Sequence, residues 1–421
     1  MRPIPEDDRL DSSLALMREG YGFIRSRCER LESPVFRTRL LLQDTLCLSG
    51  TEAARLFYDE SRFVRAHAAP RLLKKTLFGV GGVQGLDGEA HRRRKALFLA
   101  VLDEAQVAAL VAIARRHWLR AIEQWSDGRR IVLLEAVQLI LTRAVCEWAA
   151  VPLAADEAQA RCQQLAAMID GAGGVAARHW QARRARREAE AWAASLIEAV
   201  RSGRLAVDST CALARVASYT ELDGDRLPDG IAAVELLNLL RPTVAVARFI
   251  LYAALELHER PEWHERLRQD EGMIEPFAQE VRRLYAFFPF VAARVRDDFE
   301  WNGFAFPKGT RVLLDLFGTN RDARTWTSPD RFDPERFLDW NGDPYSLVTQ
   351  GGADARQQHR CPGERLAIEL LKDGLRILTR EMSYRVPPQD LRLDPGRMPA
   401  EPPSRLVLDR VERCAGSEPA R

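Results

Sequence analysis

The sequence predicts a mainly α fold, in which one large domain carries a small β portion. Leu, Ala, Arg and Glu dominate most of the chain, and apolar residues recur at spacings of three and four, as over residues 103–125 and 188–201. The 421 residues are enough to bury a large core. No repeat, low-complexity linker or change of composition divides the chain, so we expect residues 1–421 to form a single domain.

Strand-like segments are few and short. Residues 36–48 form one candidate near the N-terminus, and residues 299–306 and 311–314 form two more, bounded by Asn302-Gly303 and Lys308-Gly309. Residues 322–344 and 386–403 are rich in Pro, Gly and Asp, which predicts long ordered loops. Strands should therefore account for only a small part of the fold.

The composition excludes several classes of protein. Lys and Arg number 62 against 60 Asp and Glu, and the net charge of +2 creates no global field for nucleic acid or an anionic membrane. No uncharged stretch approaches the roughly 18 apolar residues of a membrane-spanning helix. The first residues are acidic where a signal peptide is basic, and no apolar segment follows them. We expect a cytoplasmic protein with no nucleic-acid partner and no membrane span.

Two segments only partly match known binding motifs. The glycine-rich residues 78–85 miss the spacing of a dinucleotide-binding loop, and no convincing strand precedes them. The basic residues 178–187 lie on a predicted helix and are followed by Glu188 and Glu190, which is typical of a solvated helix face. The seven cysteines are scattered without a CxxC pair, so neither a zinc site nor a disulfide framework is expected.

Cys361 is the cysteine whose surroundings indicate chemistry. Pro362 and Gly363 turn the chain directly after it, and an apolar helix is predicted over residues 366–377. A thiol just ahead of a helix N-terminus lies near the positive end of the helix dipole and near free N–H groups. Both lower its pKa and favour a thiolate that can ligate a metal. Taken alone, the pattern fits a buried cysteine that merely packs equally well.

Three further motifs appear in a fixed order with Cys361. They are Glu280-x-x-Arg283 at helical spacing, GTNRD at residues 318–322 and PDRFDPERF at residues 329–337. The ordered set resembles the heme-thiolate cytochrome P-450 superfamily. This resemblance implies a single large cytochrome P-450 fold with heme b buried between helices and Cys361 as the axial iron ligand. It also implies that Glu280, Arg283 and Arg336 form a structural triad, for which an ordinary surface ion pair is the alternative.

Two departures from the superfamily pattern indicate which subfamily the chain resembles. The predicted helix over residues 229–259 carries Arg241-Pro242 where the superfamily usually has an acid and a threonine, and proline cannot relay protons. The cysteine loop begins with Gln350-Gly351-Gly352 instead of the usual pattern. Both features, with several segments of residues 57–95, resemble the bacterial fatty-acid peroxygenases, which use hydrogen peroxide directly. Residues 240–245 resemble the branch that hydroxylates the α carbon (C2).

The site residues follow from this resemblance and from residue chemistry. Arg241 lies in an apolar run, where an arginine is costly unless paired. We expect it to bind the substrate carboxylate, which would serve as general acid–base in place of the acid–alcohol pair that Pro242 interrupts. The alternative is an internal salt bridge to Asp or Glu. The candidates to hold the heme propionates are Arg65, His91, Lys95 and His359, for which a solvated basic helix face is the alternative, above all at Lys95. Gln350 resembles the residue that donates a hydrogen bond toward the thiolate, with a simple loop hydrogen bond as the alternative. The candidates to line the substrate pocket are Phe78, Gln84, Phe287 and Phe290, and plain core packing is the alternative for the aromatic residues.

The favoured function is hydroxylation of long-chain fatty acids, mainly at C2, with hydrogen peroxide and no obligatory redox partner. A reductase-coupled monooxygenase is one alternative, and β-hydroxylation or decarboxylation within the same subfamily is another. Gln84 favours hydroxylation, because a decarboxylating relative has His at the corresponding position. A heme-thiolate sensor without enzyme activity would need a regulatory module, and the sequence indicates none.

Overall fold

The computed structural model describes residues 2–174 and 177–414, and it confirms the mainly α fold that the sequence predicts. Helices make up about half of these residues. In chain order the helices are α1 (Ser13–Glu19), α2 (Phe23–Arg30), α3 (Thr51–Phe57), α4 (Arg71–Leu73), α5 (Gly88–Val101), α6 (Glu104–Trp125), α7 (Leu133–Trp148), α8 (Ala158–Asp170), α9 (Ala177–Arg201), α10 (Ala212–Ser218), α11 (Asp229–Ala245), α12 (Ala247–Glu259), α13 (Pro261–Gln269), α14 (Ile274–Leu284), α15 (Leu316–Thr319) and α16 (Glu364–Arg376).

The strands form three small sheets. They are β1 (Val35–Leu40), β2 (Gln43–Leu48), β3 (Phe63–Val64), β4 (Ile131–Val132), β5 (Phe290–Val295), β6 (Phe299–Trp301), β7 (Phe304–Phe306), β8 (Arg311–Asp315), β9 (Met382–Arg385) and β10 (Val407–Arg413). The largest sheet has the order β1-β2-β8-β5-β3, with β2 and β8 parallel and the other pairs antiparallel. Strands β4, β10 and β9 form the second sheet, and β6 and β7 form a hairpin.

The predicted strand at residues 36–48 is in fact a hairpin. Leu41 and Leu42 both have positive φ and make the turn between β1 and β2, although neither is a residue type that favours such a turn. The sequence reading also missed β5, which pairs with β3 and β8 in the middle of the largest sheet. Its partner β3 lies far from it in sequence, and the hairpin β6–β7 intervenes before its other partner, β8, so local pattern does not reveal these pairings.

The main core surrounds α11 and α12. These two helices run almost continuously from Asp229 to Glu259, and nearly every side chain from Ala232 to Leu257 is buried. This stretch is long and apolar enough to cross a membrane, but most of it is buried against other helices, as in the central helix of a globular core. The core thus buries Arg241 within the central helix, whereas the next residue, Pro242, is exposed.

Glu280, Arg283 and Arg336 meet in one buried ion-pair cluster. Arg283 donates to both carboxylate oxygens of Glu280, from Nε to Oε2 at 2.6 Å and from Nη2 to Oε1 at 2.7 Å. Arg336 Nε donates to Glu280 Oε1 at 3.2 Å. Arg283 Nη1 also donates to the carbonyls of Asn320 and Pro329, so the cluster ties α14 to the long loops that precede Cys361. It is therefore not a surface ion pair.

Replacing Glu280 or Arg283 with alanine should destabilise the folded protein by about 3–5 kcal/mol, because the remaining charge is left buried without a partner. Urea unfolding and heme content of the purified variants would measure the effect. The matched control is Arg266→Ala, which breaks an exposed pair with Glu335 and should cost less than about 1 kcal/mol. Normal stability and heme content in both buried variants would contradict a structural role for the cluster.

Candidate active site

Cys361 lies in the turn directly before α16. Its backbone N–H donates to the carbonyl of Gln350 at 2.8 Å, which fixes the loop on both sides of the thiol. The Gly363 N–H and the Gln350 side chain hydrogen-bond to the sulfur and favour the thiolate. Burial nevertheless raises the pKa of the Cys361 thiol above its ordinary value, so the predicted lowering is wrong for the thiol by itself. The cost of desolvating the thiolate outweighs the stabilisation by the nearby hydrogen-bond donors. Ligation to a metal ion would stabilise the thiolate further.

A second buried ion-pair group supports the cysteine loop. Arg282 Nε donates to Gln350 Oε1 at 3.2 Å, and its Nη2 also contacts Glu364 at the start of α16. Arg360 Nε donates to the other oxygen of Glu364 at 2.5 Å. Burial raises the pKa of Glu364, but the two arginines outweigh this effect and hold that pKa below its ordinary value. The sequence reading missed Arg282 and Glu364, which adjoin motifs that it singled out.

Four basic side chains cluster beside the cysteine loop. The rings of His91 and His359 stack with centroids 3.8 Å apart. Arg65 donates to the carbonyl of Ala292 at 3.0 Å and lies over the ring of Phe57. Lys95 is buried on α5 and donates through Nζ to the carbonyls of Gln358 and Arg360, the latter at 2.6 Å.

Lys95 therefore does not belong to a solvated helix face. Its ammonium joins α5 to the residues on either side of His359, and burial lowers its pKa to about 8. All four predicted basic residues lie in one region. Lys95, however, donates its hydrogen bonds to backbone carbonyls of the cysteine loop.

This basic cluster fits the propionates of heme b. Burial, and then the neighbouring cations, lower the pKa of His91 to about 4 and that of His359 well below its ordinary value. His91 Nδ1 is buried and has no hydrogen-bond partner within the described residues. The acids nearest to the two imidazoles are Glu60 and Asp87. Anionic propionates beside this cluster would offset the positive charge of Arg65 and Lys95, and the thiol of Cys361 could supply the iron ligand, so the donor set fits the cofactor.

Arg241 is buried on α11, with 4% of its surface exposed. Its Nη2 donates to Asn238 Oδ1 at 3.0 Å, and its Nη1 donates to the carbonyl of Leu77. Among residues 2–174 and 177–414, no carboxylate forms an ion pair with it, so the internal salt bridge that we considered is not formed. Burial, and then repulsion from Arg186, lower the pKa of Arg241 to about 9, and Glu235 opposes this shift. The guanidinium thus stays charged at neutral pH without a counterion.

The nearest buried acid, Glu235, is engaged elsewhere. Its Oε1 accepts from Arg94 Nη1 at 2.6 Å, and its Oε2 accepts from Asn238 Nδ2 at 2.8 Å. Asn238 therefore separates Glu235 from Arg241 and touches both. Gln84 Oε1 lies 3.4 Å from Asn238 Nδ2, which places the predicted pocket residue beside this network. The sequence reading missed Arg94, Glu235 and Asn238, since nothing in their local pattern marks them.

A second guanidinium reaches the same carbonyl as Arg241. Arg186 Nη1 on α9 donates to Leu77 O at 2.8 Å, and its Nε donates to Glu190 at 2.7 Å. A Cβ at Gly79 would lie 2.1 Å from Arg186 Nη2, and the φ of +85° at Gly79 also favours glycine. The glycine-rich segment that partly matches a nucleotide-binding loop therefore serves close packing against Arg186.

The aromatic candidates fall into different surroundings. Phe78 is half-buried and directly follows Leu77. Phe287 is buried against Phe249 and Phe288, with ring centroids 6.2 and 4.8 Å away. Phe290 lies on β5 and packs against the smaller core formed with α2 and the largest sheet, which agrees with the alternative of plain core packing. Of these three aromatic residues, Phe78 lies beside the Arg241 contact, because it directly follows Leu77, whose carbonyl accepts a hydrogen bond from Arg241.

Comparison with known proteins yields consistent matches. The family model described as cytochrome P-450 matches residues 252–400. The structure of a variant of cytochrome P450SP alpha (CYP152B1) is 44% identical, with a TM-score of 0.94, and the match covers 96% of this chain and 99% of that one. Cytochrome P450EX alpha (CYP152N1), solved with myristic acid, is 42% identical, with a TM-score of 0.95 and coverages of 98% and 100%.

Matches to curated proteins are shorter. Ferruginol synthase from Salvia miltiorrhiza is 32% identical over 118 residues, which cover 27% of this chain and 23% of that relative. The chain thus spans about a quarter of the length of that curated relative, while it matches the two solved structures over almost their full length.

Proposed function

Because the chain belongs to the cytochrome P-450 family, whose members bind heme through a cysteine thiolate, we propose that it hydroxylates long-chain fatty acids with hydrogen peroxide, mainly at C2. The observation that carries this proposal is the buried Arg241 guanidinium, which has no carboxylate partner among the described residues. A similar protein was solved with myristic acid, a substrate class that offers such a carboxylate.

The residues around the cofactor have separable roles. Cys361 would ligate the iron, and Arg65, His91 and His359 would hold the propionates. Gln350 would donate toward the sulfur and moderate the charge of the thiolate. The thiolate-ligated heme supplies cleavage of the peroxide O–O bond and oxidation of an unactivated C–H bond.

Arg241 would bind the fatty-acid carboxylate through the two outer nitrogens of its guanidinium. To do so it must release the carbonyl of Leu77, which Arg186 continues to satisfy through its own 2.8 Å hydrogen bond. Asn238 Oδ1 holds the guanidinium on the remaining side. Binding thus exchanges a neutral acceptor for an anionic one without leaving a buried backbone carbonyl unpaired.

The bound carboxylate would also handle the proton of the reaction. Pro242 has neither an N–H nor a hydroxyl, and the Thr243 hydroxyl donates to the carbonyl of Leu239 at 2.9 Å. The chain therefore offers no acid–alcohol pair at this turn of α11. A carboxylate held by Arg241 can accept a proton from one peroxide oxygen and return it to the other, as a general acid–base supplied by the substrate.

A reductase-coupled mechanism differs from this proposal in a measurable way. A reductase-coupled monooxygenase needs a proton relay in the protein, which the engaged Thr243 hydroxyl does not provide. The test incubates the heme-loaded enzyme with a long-chain saturated fatty acid, either with hydrogen peroxide alone or with NAD(P)H and a reductase system. Hydroxy acid with peroxide alone supports the proposal, and product only with NAD(P)H and reductase overturns it.

We expect hydroxy acids to exceed terminal alkenes several-fold among the products. Gln84 places a neutral amide beside Asn238, which holds Arg241, whereas an imidazole there could exchange protons near the substrate carboxyl group. Chromatography of products from one saturated fatty acid measures the ratio. The matched variant Gln84→His should raise the share of alkene, and alkene as the main product of the wild type would contradict this expectation.

A further inference from the structure

Two segments that pack together carry an unusual excess of positive charge. Residues 71–80 and 178–187 contain eight Lys and Arg and no Asp or Glu, although the whole chain has a net charge of only +2. The helical turn Lys74–Phe78 packs against α9, where Arg186 donates to the carbonyl of Leu77. We call the outer face of these two segments the basic face.

Large apolar side chains are exposed on the basic face among the cations. Trp180 is 65% exposed on α9, while Leu72 and Val80 are 58% and 66% exposed on the other segment. Trp180, Arg184 and Arg187 follow one another at helical spacing, on the side of α9 away from its buried alanines.

Most of these cations lack an opposing charge. Within the described residues, Lys74, Lys75, Arg183 and Arg187 form no ion pair, and Arg184 makes only an exposed pair with Glu188. The Arg183 guanidinium lies 5.2 Å from the centroid of the Trp180 ring instead of near a carboxylate. The local charge is thus uncompensated, and the sequence-based expectation of an ordinary solvated helix face does not explain the exposed Trp180.

We propose that the basic face docks the enzyme onto an anionic lipid bilayer. Lysine and arginine near a negatively charged membrane surface are attracted to it, while tryptophan and aliphatic side chains gain by entering the headgroup region. An acidic protein or a nucleic acid would satisfy the cations but would leave Leu72 and Val80 without a favourable environment. The mixture of exposed apolar and unpaired basic side chains therefore favours a lipid surface.

Docking would place the lipid next to the segment whose backbone accepts a hydrogen bond from Arg241. Leu77, whose carbonyl holds the Arg241 guanidinium, lies in the same helical turn as Lys74 and Lys75. A substrate that partitions into lipid would meet the enzyme on this side. The docking surface itself rests on its exposed residues alone, so it does not depend on the proposed substrate or oxidant.

The test measures binding of the heme-loaded enzyme to vesicles by flotation. One preparation is phosphatidylcholine alone, and the other contains one third phosphatidylglycerol. We expect binding to the anionic vesicles at low salt, and loss of that binding as the Debye length falls below about 10 Å. The variants Arg183→Glu/Arg187→Glu and Trp180→Ser should each weaken binding, the double charge reversal by at least about tenfold.

A second charge reversal provides the matched control. Arg120 and Arg143 are exposed on α6 and α7, and neither forms an ion pair within residues 2–174 and 177–414. Arg120→Glu/Arg143→Glu changes the net charge equally and should leave vesicle binding unchanged. Equal weakening by this control, unchanged binding by Trp180→Ser, or no binding to anionic vesicles at low salt would each overturn the proposal. Fatty-acid turnover in solution is not part of the readout, so failure here is distinct from failure of the proposed function.

Discussion

Arg241→Ala should keep the heme and its thiolate spectrum but lose nearly all turnover of fatty acids. Its guanidinium is the buried cation that a substrate carboxylate would meet, and no acid of the described chain neutralises it. Removing one charged, desolvated contact of this kind costs about 2–5 kcal/mol. Catalytic efficiency should therefore fall by a factor of about 30 to several thousand, before any loss of proton transfer is added.

Two comparisons separate binding from proton transfer. Arg241→Lys retains a charge but loses the planar fork, so it should bind the fatty acid more weakly and recover only part of the turnover. With the wild type, a substrate that lacks a carboxylate should fail by itself and should react when a short carboxylic acid is added. Product formation and the substrate-induced change of the heme absorbance measure these effects. Wild-type rates for Arg241→Ala would show that the substrate carboxylate does not take part.

Cys361→Ala should abolish the red-shifted carbon-monoxide band that is typical of thiolate-ligated heme, and with it all peroxide-dependent hydroxylation. The thiol lies where the Gly363 N–H, the Gln350 side chain and Lys95 all favour a thiolate, although burial raises the pKa of the thiol. A coordinated iron would displace the proton, and alanine at position 361 offers no atom that can ligate it.

The absorbance spectrum of the reduced, carbon-monoxide-bound protein measures the loss of the red-shifted band directly. Cys28→Ala is the matched control, because it removes a half-buried thiol whose pKa burial also raises, on α2 away from the cysteine loop. The control should keep the band and the activity. Survival of the band in Cys361→Ala would mean that another residue ligates the iron.

Local sequence pattern was enough to predict the mainly α fold and the candidate iron ligand. The helical periodicity predicted long helices such as α6, since one face of each is buried and that face repeats every three or four residues. Cys361 stood out because Pro362 and Gly363 precede a helix, but it was selected as the iron ligand only by the ordered motifs at residues 280–283, 318–322 and 329–337. Glu280 and Arg283 were recognisable because their spacing places them side by side on α14.

Pattern alone failed where partners are distant along the chain. The run from Phe36 to Leu48 is apolar enough to suggest one strand, yet β2 ends in a parallel pairing with β8, more than 260 residues later. The hairpin turn at Leu41 and Leu42 uses positive φ at residues that rarely adopt it. The pairing of β2 with β8 is selected by the whole sheet, so no short window of sequence contains both strands.

The ion-pair partners and the pKa shifts of the charged groups depend on the tertiary structure. Arg241 could be identified in an apolar run, but its lack of a carboxylate partner depends on Arg94, which binds Glu235 from α5. The pKa of Cys361 was expected to fall, yet burial raises it, because desolvation depends on everything packed around the sulfur. Spacing along a helix determines which residues can be neighbours, whereas solvation and charge balance depend on all elements that enclose a group.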